Sequence, residues 1–320
     1  MKSKIDSSLY PKPLIFNCYK PESISSFDVV RHFKRNLPQG FGKIGHFGTL
    51  DPFACGVLMI GVNGAAKLNN FIHEFLPKTY IGTGVLGLDS HTGDLTEGIS
   101  GEDKSDYLNK VISAFDIAFI QKSLREKFLG TYMQAPHKYS AAKHEGVALH
   151  KWARDGVEIQ KEKKKRFVYE LNVISYDFPK LVIEFKVSSG TYIRTLFREC
   201  ANHLGTLGTL SNLERSVVGG CNLSNSIGES SWPKDRQWDI EKFGLDVREV
   251  LAFPTIKFAD REAQLYSNGV KLKLDRAKSI EDAKLKGFYW VESGEANLLG
   301  LAKVEDDHIV SEFNLPSSSL

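Results

Sequence analysis

Along the chain, apolar positions fall first into short strand-like runs and then into helical stripes. Residues 13–19 read as a strand, and Val57–Val62 is a continuous apolar run of the buried-strand kind. Between them, Ser25 or Ser26 can cap a helix whose apolar residues are Phe27, Val30 and Phe33. Residues 38–56, rich in Gly and Pro, read as a long irregular segment. Asn63 is placed to cap a second helix with Ala66, Leu68, Phe71, Ile72 and Phe75 as its apolar residues. Residues 79–88 fit a strand that ends in the polar turn Asp89–Asp94, and 105–128 fit one helix or two. Residues 131–160 form an excursion with a helix-like pattern from Ala141 to Arg154. Phe167–Tyr176 and Leu181–Ser188 alternate as a hairpin. Thr191–Leu204 has a helical stripe of Ile193, Leu196, Phe197, Cys200 and Leu204. From about Phe253, short strand signals separated by Gly predict a small β-rich unit. The pattern predicts an α+β fold with a mixed or antiparallel sheet, residues 1–250 forming one domain and 251–320 a second.

Composition narrows the function classes. The 320 residues are 42% hydrophobic and 25% charged, an ordinary globular balance. No run of eighteen apolar residues occurs, and Met-Lys-Ser-Lys-Ile-Asp-Ser-Ser lacks the apolar stretch of a leader, so the cytoplasm is the expected location. Cys18, Cys55, Cys200 and Cys221 form no C-x-x-C pair, and the nine histidines show no metal-ligand spacing; neither disulfides nor a metal are expected. Net charge is only +3, but it is unevenly spread. Residues 134–166 carry nine Lys/Arg against four acids, whereas 251–320 carry nine against eleven. A polyanion is drawn to the middle of the chain, although a solvated basic surface reads the same way on charge alone.

The segment richest in chemistry is Gly45-His46-Phe47-Gly48-Thr49-Leu50-Asp51-Pro52, followed by Ala54, Gly56, Val57 and Leu58. Glycines at 45, 48 and 56 permit tight turns and close approach, leaving His46 and Asp51 as the polar side chains of a shaped loop. An isolated Asp-Pro is more often a helix N-cap with Pro at the first helical position.

The extended string resembles the G-H-x-G-T-L-D-P signature of the TruB family of pseudouridine synthases. Further segments resemble the same family in order: Lys20-Pro21 with Ser25-Ser26, Lys78-Thr79-Tyr80, the turn with Thr92, Gly93 and Asp94, Ala135-Pro136 with Tyr139 and Lys143, Ser189-Gly190-Thr191-Tyr192-Ile193-Arg194, and Leu213 with Arg215. The resemblance spans about residues 13–220. It implies isomerisation of a uridine in the T loop of tRNA, with Asp51 as the catalytic carboxylate, Arg194 as its partner through parallel hydrogen bonds, and Tyr80 stacking on the uracil. It further implies that His46 enters the T loop and that Leu213 packs the base. Thr49, Leu50, Asp94 and Tyr192 join the substrate site, and Lys67 is a weaker phosphate candidate. The 131–160 excursion resembles a mobile thumb, with Tyr139, Lys143, Lys151 and Arg154 facing RNA. No cofactor is implied, the T arm of tRNA is the expected partner, no guide RNA or membrane is expected, and a monomer is expected. The C-terminal part loosely resembles a PUA-type RNA-binding appendage.

Three positions depart from the family's usual pattern: Ser23 stands for Gly, His91 for Asp, and Glu214 for Arg. They touch loop geometry and RNA contacts more than Asp51, Tyr80 or Arg194. The competing readings are an inactive RNA-binding module of this fold, a guide-RNA-dependent synthase, and a carboxylate glycosidase. The last requires a second acid, and the string around Asp51 supplies none.

Overall fold

The computed structural model describes residues 12–38, 40–135, 143–148, 152, 157, 162–236, 238–281, 286–294 and 296–315, with backbone alone at 143, 144 and 148. The first part of the chain builds β1 (Leu14–Lys20), α1 (Ser26–Asn36), β2 (Ile44–His46), β3 (Cys55–Val62), α2 (Asn69–Phe75) and β4 (Lys78–Leu86). It continues through α3 (Ile117–Phe128), β5 (Gly130–Gln134), β6 (Lys164–Asp177), β7 (Lys180–Val187), α4 (Ile193–His203) and β8 (Gly208–Val218). One sheet runs β1-β3-β8-β4-β7-β6-β5, with Leu245–Asp246 beyond β1 and β2 attached to β3. Every pairing in it is antiparallel except β3 with β8, where Cys55 faces Glu214 and Gly56 faces Arg215. The fold is α+β with a mixed sheet.

Local chemistry accounts for most of these elements. Ser25 caps α1 in a full capping box: its hydroxyl accepts from Asp28 N at 3.1 Å, and Asp28 accepts from Ser25 N at 3.0 Å. With that register the helix buries Val29, Val30 and Phe33, and Phe27 is 62% exposed rather than inward. All eight residues of β3 are buried, which explains its unbroken apolar run. The 38–56 segment is not wholly irregular, since it carries β2 and the start of β3. Asn63 is not a helix cap. It has a positive φ of 53° and its Oδ1 accepts from Gly42 N at 2.7 Å. The chain then makes a 3-10 turn over Ala65–Leu68, burying Ala65 and not Ala66, before α2 begins. The 105–128 region is two helices, Asp106–Lys110 and α3. The helix-like stretch expected over 141–154 contains an antiparallel pair, Lys143–His144 with Val147–Ala148, and a helical residue at Trp152; residues 141, 142, 149–151, 153 and 154 lie outside the described residues.

The last part adds β9 (Thr255–Lys257), α5 (Asp260–Ser267), β10 (Leu272–Lys273), β11 (Ser279–Ile280), β12 (Gly287–Glu292), β13 (Leu298–Glu305) and β14 (His308–Asn314). These strands form a second sheet in the order β10-β14-β13-β12-β9-β11. The two sheets are joined by a shared core in which Trp290 and Leu301 pack with Val57, Met59, Leu68 and Ile72. Phe71 and Phe75 meet Phe253 and Phe288 edge-on, with ring centroids 5.2–6.4 Å apart. Among the described residues no helix is long and apolar enough to cross a membrane.

Candidate active site

The loop between β2 and β3 is held at every second or third residue, and the pattern of anchors leaves Asp51 projecting. Phe47 is buried, and its N–H donates to Met59 O at 2.9 Å. Leu50 is also buried, and the Ser26 hydroxyl clamps its backbone, accepting from Leu50 N at 2.8 Å and donating to Leu50 O at 3.0 Å. Arg215 is wholly buried and reaches from β8 to donate to Val57 O, Gly48 O and Thr49 O at 2.7, 3.1 and 3.5 Å. Lys20, equally buried, spends its three protons on Pro21 O, Ile24 O and Pro52 O at 2.8, 2.8 and 3.3 Å. Burial pulls its pKa down to about 8. Two of the three glycines are required. Gly48 has φ +92°, and Gly56 has φ +106° with an ideal Cβ only 2.3 Å from Arg215 O; Gly45 has open space around it and no such need.

Against this loop comes the N-terminal turn of α4. Arg194 is 6% exposed and sits between two carboxylates: Nε is 3.0 Å from Asp51 Oδ2, and Nη1 is 3.2 Å from Asp94 Oδ2. Nη1 also donates to Thr92 O at 2.7 Å. One helical turn later, Arg198 pairs with Asp89 at 2.8 Å, so two residues on one face of α4 hold the 89–94 turn. Asp94 is 3% exposed and turned toward Arg194 and Thr96. It therefore positions the arginine from the 89–94 turn. Asp51 differs in keeping 36% of its side chain exposed. Its pKa is raised, first by burial of most of its surroundings; the Arg194 charge opposes that shift and Asp94 adds to it.

Tyr80 stands in the adjoining wall, 8% exposed in β4 between Phe185 of β7 and Arg215 of β8. The Arg215 guanidinium lies 6.0 Å from its ring centroid. Leu213 is buried in the same apolar cluster as Tyr80, Leu50 and Ala54. His46 is half-buried at the end of β2, and burial, followed by the charges of Arg215 and Lys78, lowers its pKa and favours the neutral ring. Thr49 is exposed. Tyr192 precedes α4, and its backbone is gripped by Gln134, which accepts from Tyr192 N at 2.7 Å and donates to Tyr192 O at 2.9 Å. The strand leading into the 131–160 excursion is thereby fixed to the helix that carries Arg194. Lys67 stands elsewhere: its ammonium donates to Asn314 O and lies 5.8 Å from the Phe313 ring, which ties the two sheets together. Tyr139, Lys151, Arg154 and the Lys143 side chain lie outside the described residues.

Ser26, Lys20, Arg215 and Gln134 were not singled out from the sequence as site residues. Ser26, Lys20 and Arg215 lie in segments matching the signature, which was the available signal. Ser23 shows what its departure means: its φ is +68°, a conformation that favours Gly, while its N–H donates to Pro52 O at 2.8 Å. Ser23→Gly is expected to raise stability by about 0.5–1 kcal/mol, seen as a higher thermal midpoint with activity unchanged. Glu214 lies on the Cys55 side of β8, its Oε1 3.9 Å from Cys55 Sγ, while Arg215 keeps the buried role; His91 is exposed.

Fold and site together define an α+β protein with a carboxylate-centred site, and solved structures share the architecture. The crystal structure of a Cbf5-Nop10-Gar1 complex matches with a TM-score of 0.69 at 19% identity, covering 98% of this chain and 88% of that one. A model of the TruB family pseudouridylate synthase N-terminal domain matches residues 34–193. A tRNA pseudouridine synthase B from Clostridium tetani is 35% identical over 83% of this chain and 89% of its own length. Another, from Thermosipho melanesiensis, is 31% identical over 94% of each. The chain belongs to the TruB family of pseudouridylate synthases.

Proposed function

We propose that this protein is an isomerase that converts uridine 55 in the T loop of tRNA to pseudouridine. The observation that carries the reading is the Asp51–Arg194 pair: a half-open carboxylate, fixed at 3.0 Å by a buried guanidinium that a second aspartate holds in place. The reaction breaks N1–C1′, turns the uracil and joins C5 to C1′; the C5 proton leaves and N1 gains one. Asp51 acts on the nucleoside as nucleophile or base. Tyr80 offers a stacking face with its hydroxyl near the departing proton, and Leu213 and Leu50 wall the base. The uridine is first extruded from the folded loop, at a cost of a few kcal/mol, and a neutral His46 fills the vacated space. Thr49 and Tyr192 line the entry. Tyr139, Lys143, Lys151 and Arg154 of the 131–160 thumb close on the backbone, with residues 1–250 acting as the catalytic unit and 251–320 as a PUA-like appendage. The exchange of bonds is redox-neutral and requires no cofactor. A guide RNA is not required in this reading, and the enzyme acts as a cytoplasmic monomer.

The test is release of tritium from C5 of a T-arm stem-loop labelled at that single uridine. Release is expected from the unassisted protein. No release from stem-loop or full tRNA, despite salt-sensitive binding, would replace this reading with an inactive binder or a guide-dependent enzyme. The pH profile gives a second check. Because the Asp51 pKa is raised, the carboxylate form is lost on the acid side at a pH above the ordinary aspartate value of about 3.9, and the acid limb of kcat/KM falls there.

A further inference from the structure

Lys78 opens β4 and is only 2% exposed, yet among the described residues its ammonium has neither a hydrogen-bond acceptor nor a carboxylate. It lies beneath the catalytic loop, where an ideal Cβ on Gly48 would stand 2.6 Å from Nζ. Arg215 of β8 reaches the same spot, its Nη1 3.6 Å from that Cβ; His46 of β2 and His73 of α2 feel both charges, and Arg166 of β6 stands on the far side of His73. Burial first, and then the charges of Lys78, Arg215 and Arg166, push His73 down to about 4. Beside His73 is a hollow of about 440 Å³ bounded by Asn70, Glu74, Arg166, Ser189 and Gly190. Arg166 Nε, Ser189 Oγ and His46 Nδ1 are buried without a hydrogen-bond partner among the described residues. Buried donors and cations are normally matched by acceptors. Here the acid on the lining is Glu74, and the excess of positive groups suits an anion.

We propose that the hollow between α2, β6 and the 188–190 loop seats one phosphate of the RNA backbone, with Arg166 and Ser189 as direct donors and Lys78 as the buried charge beneath it. This rests on RNA being the substrate, as proposed above. Gly190 stands four residues before Arg194 and Gly48 three before Asp51, so a phosphate held here fixes the strand one loop away from the reacting sugar. Burial and the Arg215 charge bring Lys78 down to about 7. Seating an anion favours its charged form, so binding takes up a proton and weakens as pH rises past neutrality. Arg215, His46 and His73 are the groups coupled to Lys78, and Arg166 and Glu74 join the response through the hollow beside His73.

The test uses the full chain and a set of T-arm stem-loops, each with a single uncharged methylphosphonate linkage. With the unaltered protein, one linkage is expected to weaken binding about tenfold. Arg166→Gln and Lys78→Met should each weaken binding of unmodified RNA by about tenfold and become insensitive to that same linkage. Lys78→Met removes an unpaired buried charge, so an equal or higher thermal midpoint separates a lost phosphate contact from a lost fold. Variants that bind unmodified RNA as well as the unaltered protein, or that stay sensitive to every linkage, overturn the proposal. Failure of the T-loop reading would look different: no tritium release, with the linkage pattern intact. Absence of any salt-sensitive RNA binding would overturn both.

Discussion

Asp51→Asn is expected to abolish tritium release, with turnover down by a factor on the order of 10⁴ or more, while the protein melts at the same temperature or higher. The two halves of that result come from one environment. Asn keeps the shape of the side chain but carries no charge and cannot serve as nucleophile or base. The site disfavours the ionised carboxylate, as its raised pKa states, because burial outweighs the attraction of Arg194. At neutral pH the unaltered protein therefore carries a charge that costs stability, and Asn relieves the cost. The sign follows from linkage. A carboxylate whose folded pKa lies above its unfolded value destabilises the fold at higher pH, and the penalty shrinks as pH falls through the folded pKa. The advantage of Asn should shrink over the same range and vanish below the ordinary carboxylate range. Paired melts at pH 7 and at pH 3–4, beside the release assay, check both halves. A large drop in melting temperature would mean that the carboxylate is a structural keystone, and the loss of turnover would then say nothing about chemistry.

Arg194→Met is expected to cost about 3–5 kcal/mol of stability, the largest effect on folding among the site residues, because it strands the buried Asp94 carboxylate. Denaturant midpoints measure it. The double variant Arg194→Met with Asp94→Asn removes both charges and should recover much of the loss, so the two substitutions are strongly non-additive. Turnover should not recover with stability, since Asp51 then lacks the guanidinium that orients it; a misplacement of the order of an ångström is worth about a hundredfold. Arg194→Lys is expected to resemble the Met variant in turnover. An ammonium lacks the planar fork with which Nε and Nη1 meet different carboxylates.

What the sequence revealed follows from the strength of each local pattern. β3 was legible because both of its faces are buried, and α4 because its stripe of Ile193, Leu196, Phe197 and Cys200 is wholly interior. α1 was legible as a helix, but its first turn misleads: Phe27 looks like a core residue by its apolarity, while the face that packs carries Ser26, Val29, Val30 and Phe33. Asn63 was misjudged because its side chain serves Gly42, twenty-one residues earlier, and no local pattern announces such a partner. At the site, Asp51, Tyr80 and Arg194 came from the motif string. The cations beneath them did not, since Lys and Arg are ordinarily outside. What makes Lys20 and Arg215 tolerable inside is the set of carbonyls of residues 21, 24 and 52 for the lysine and 48, 49 and 57 for the arginine, which only the fold assembles.

The shared core of the two sheets sets a limit on modularity. Phe47, which anchors the loop that carries Asp51, belongs to the same apolar cluster as Trp290 and Leu301 of the second sheet. The C-terminal strands thus furnish part of the bed on which the loop before Asp51 lies. A chain shortened near residue 250 would lose Trp290 and Leu301 from the cluster that contains Phe47, and any foreign unit in their place would have to refill that cluster. In this fold the packing of the second sheet and the anchoring of the loop that carries Asp51 are mechanically coupled.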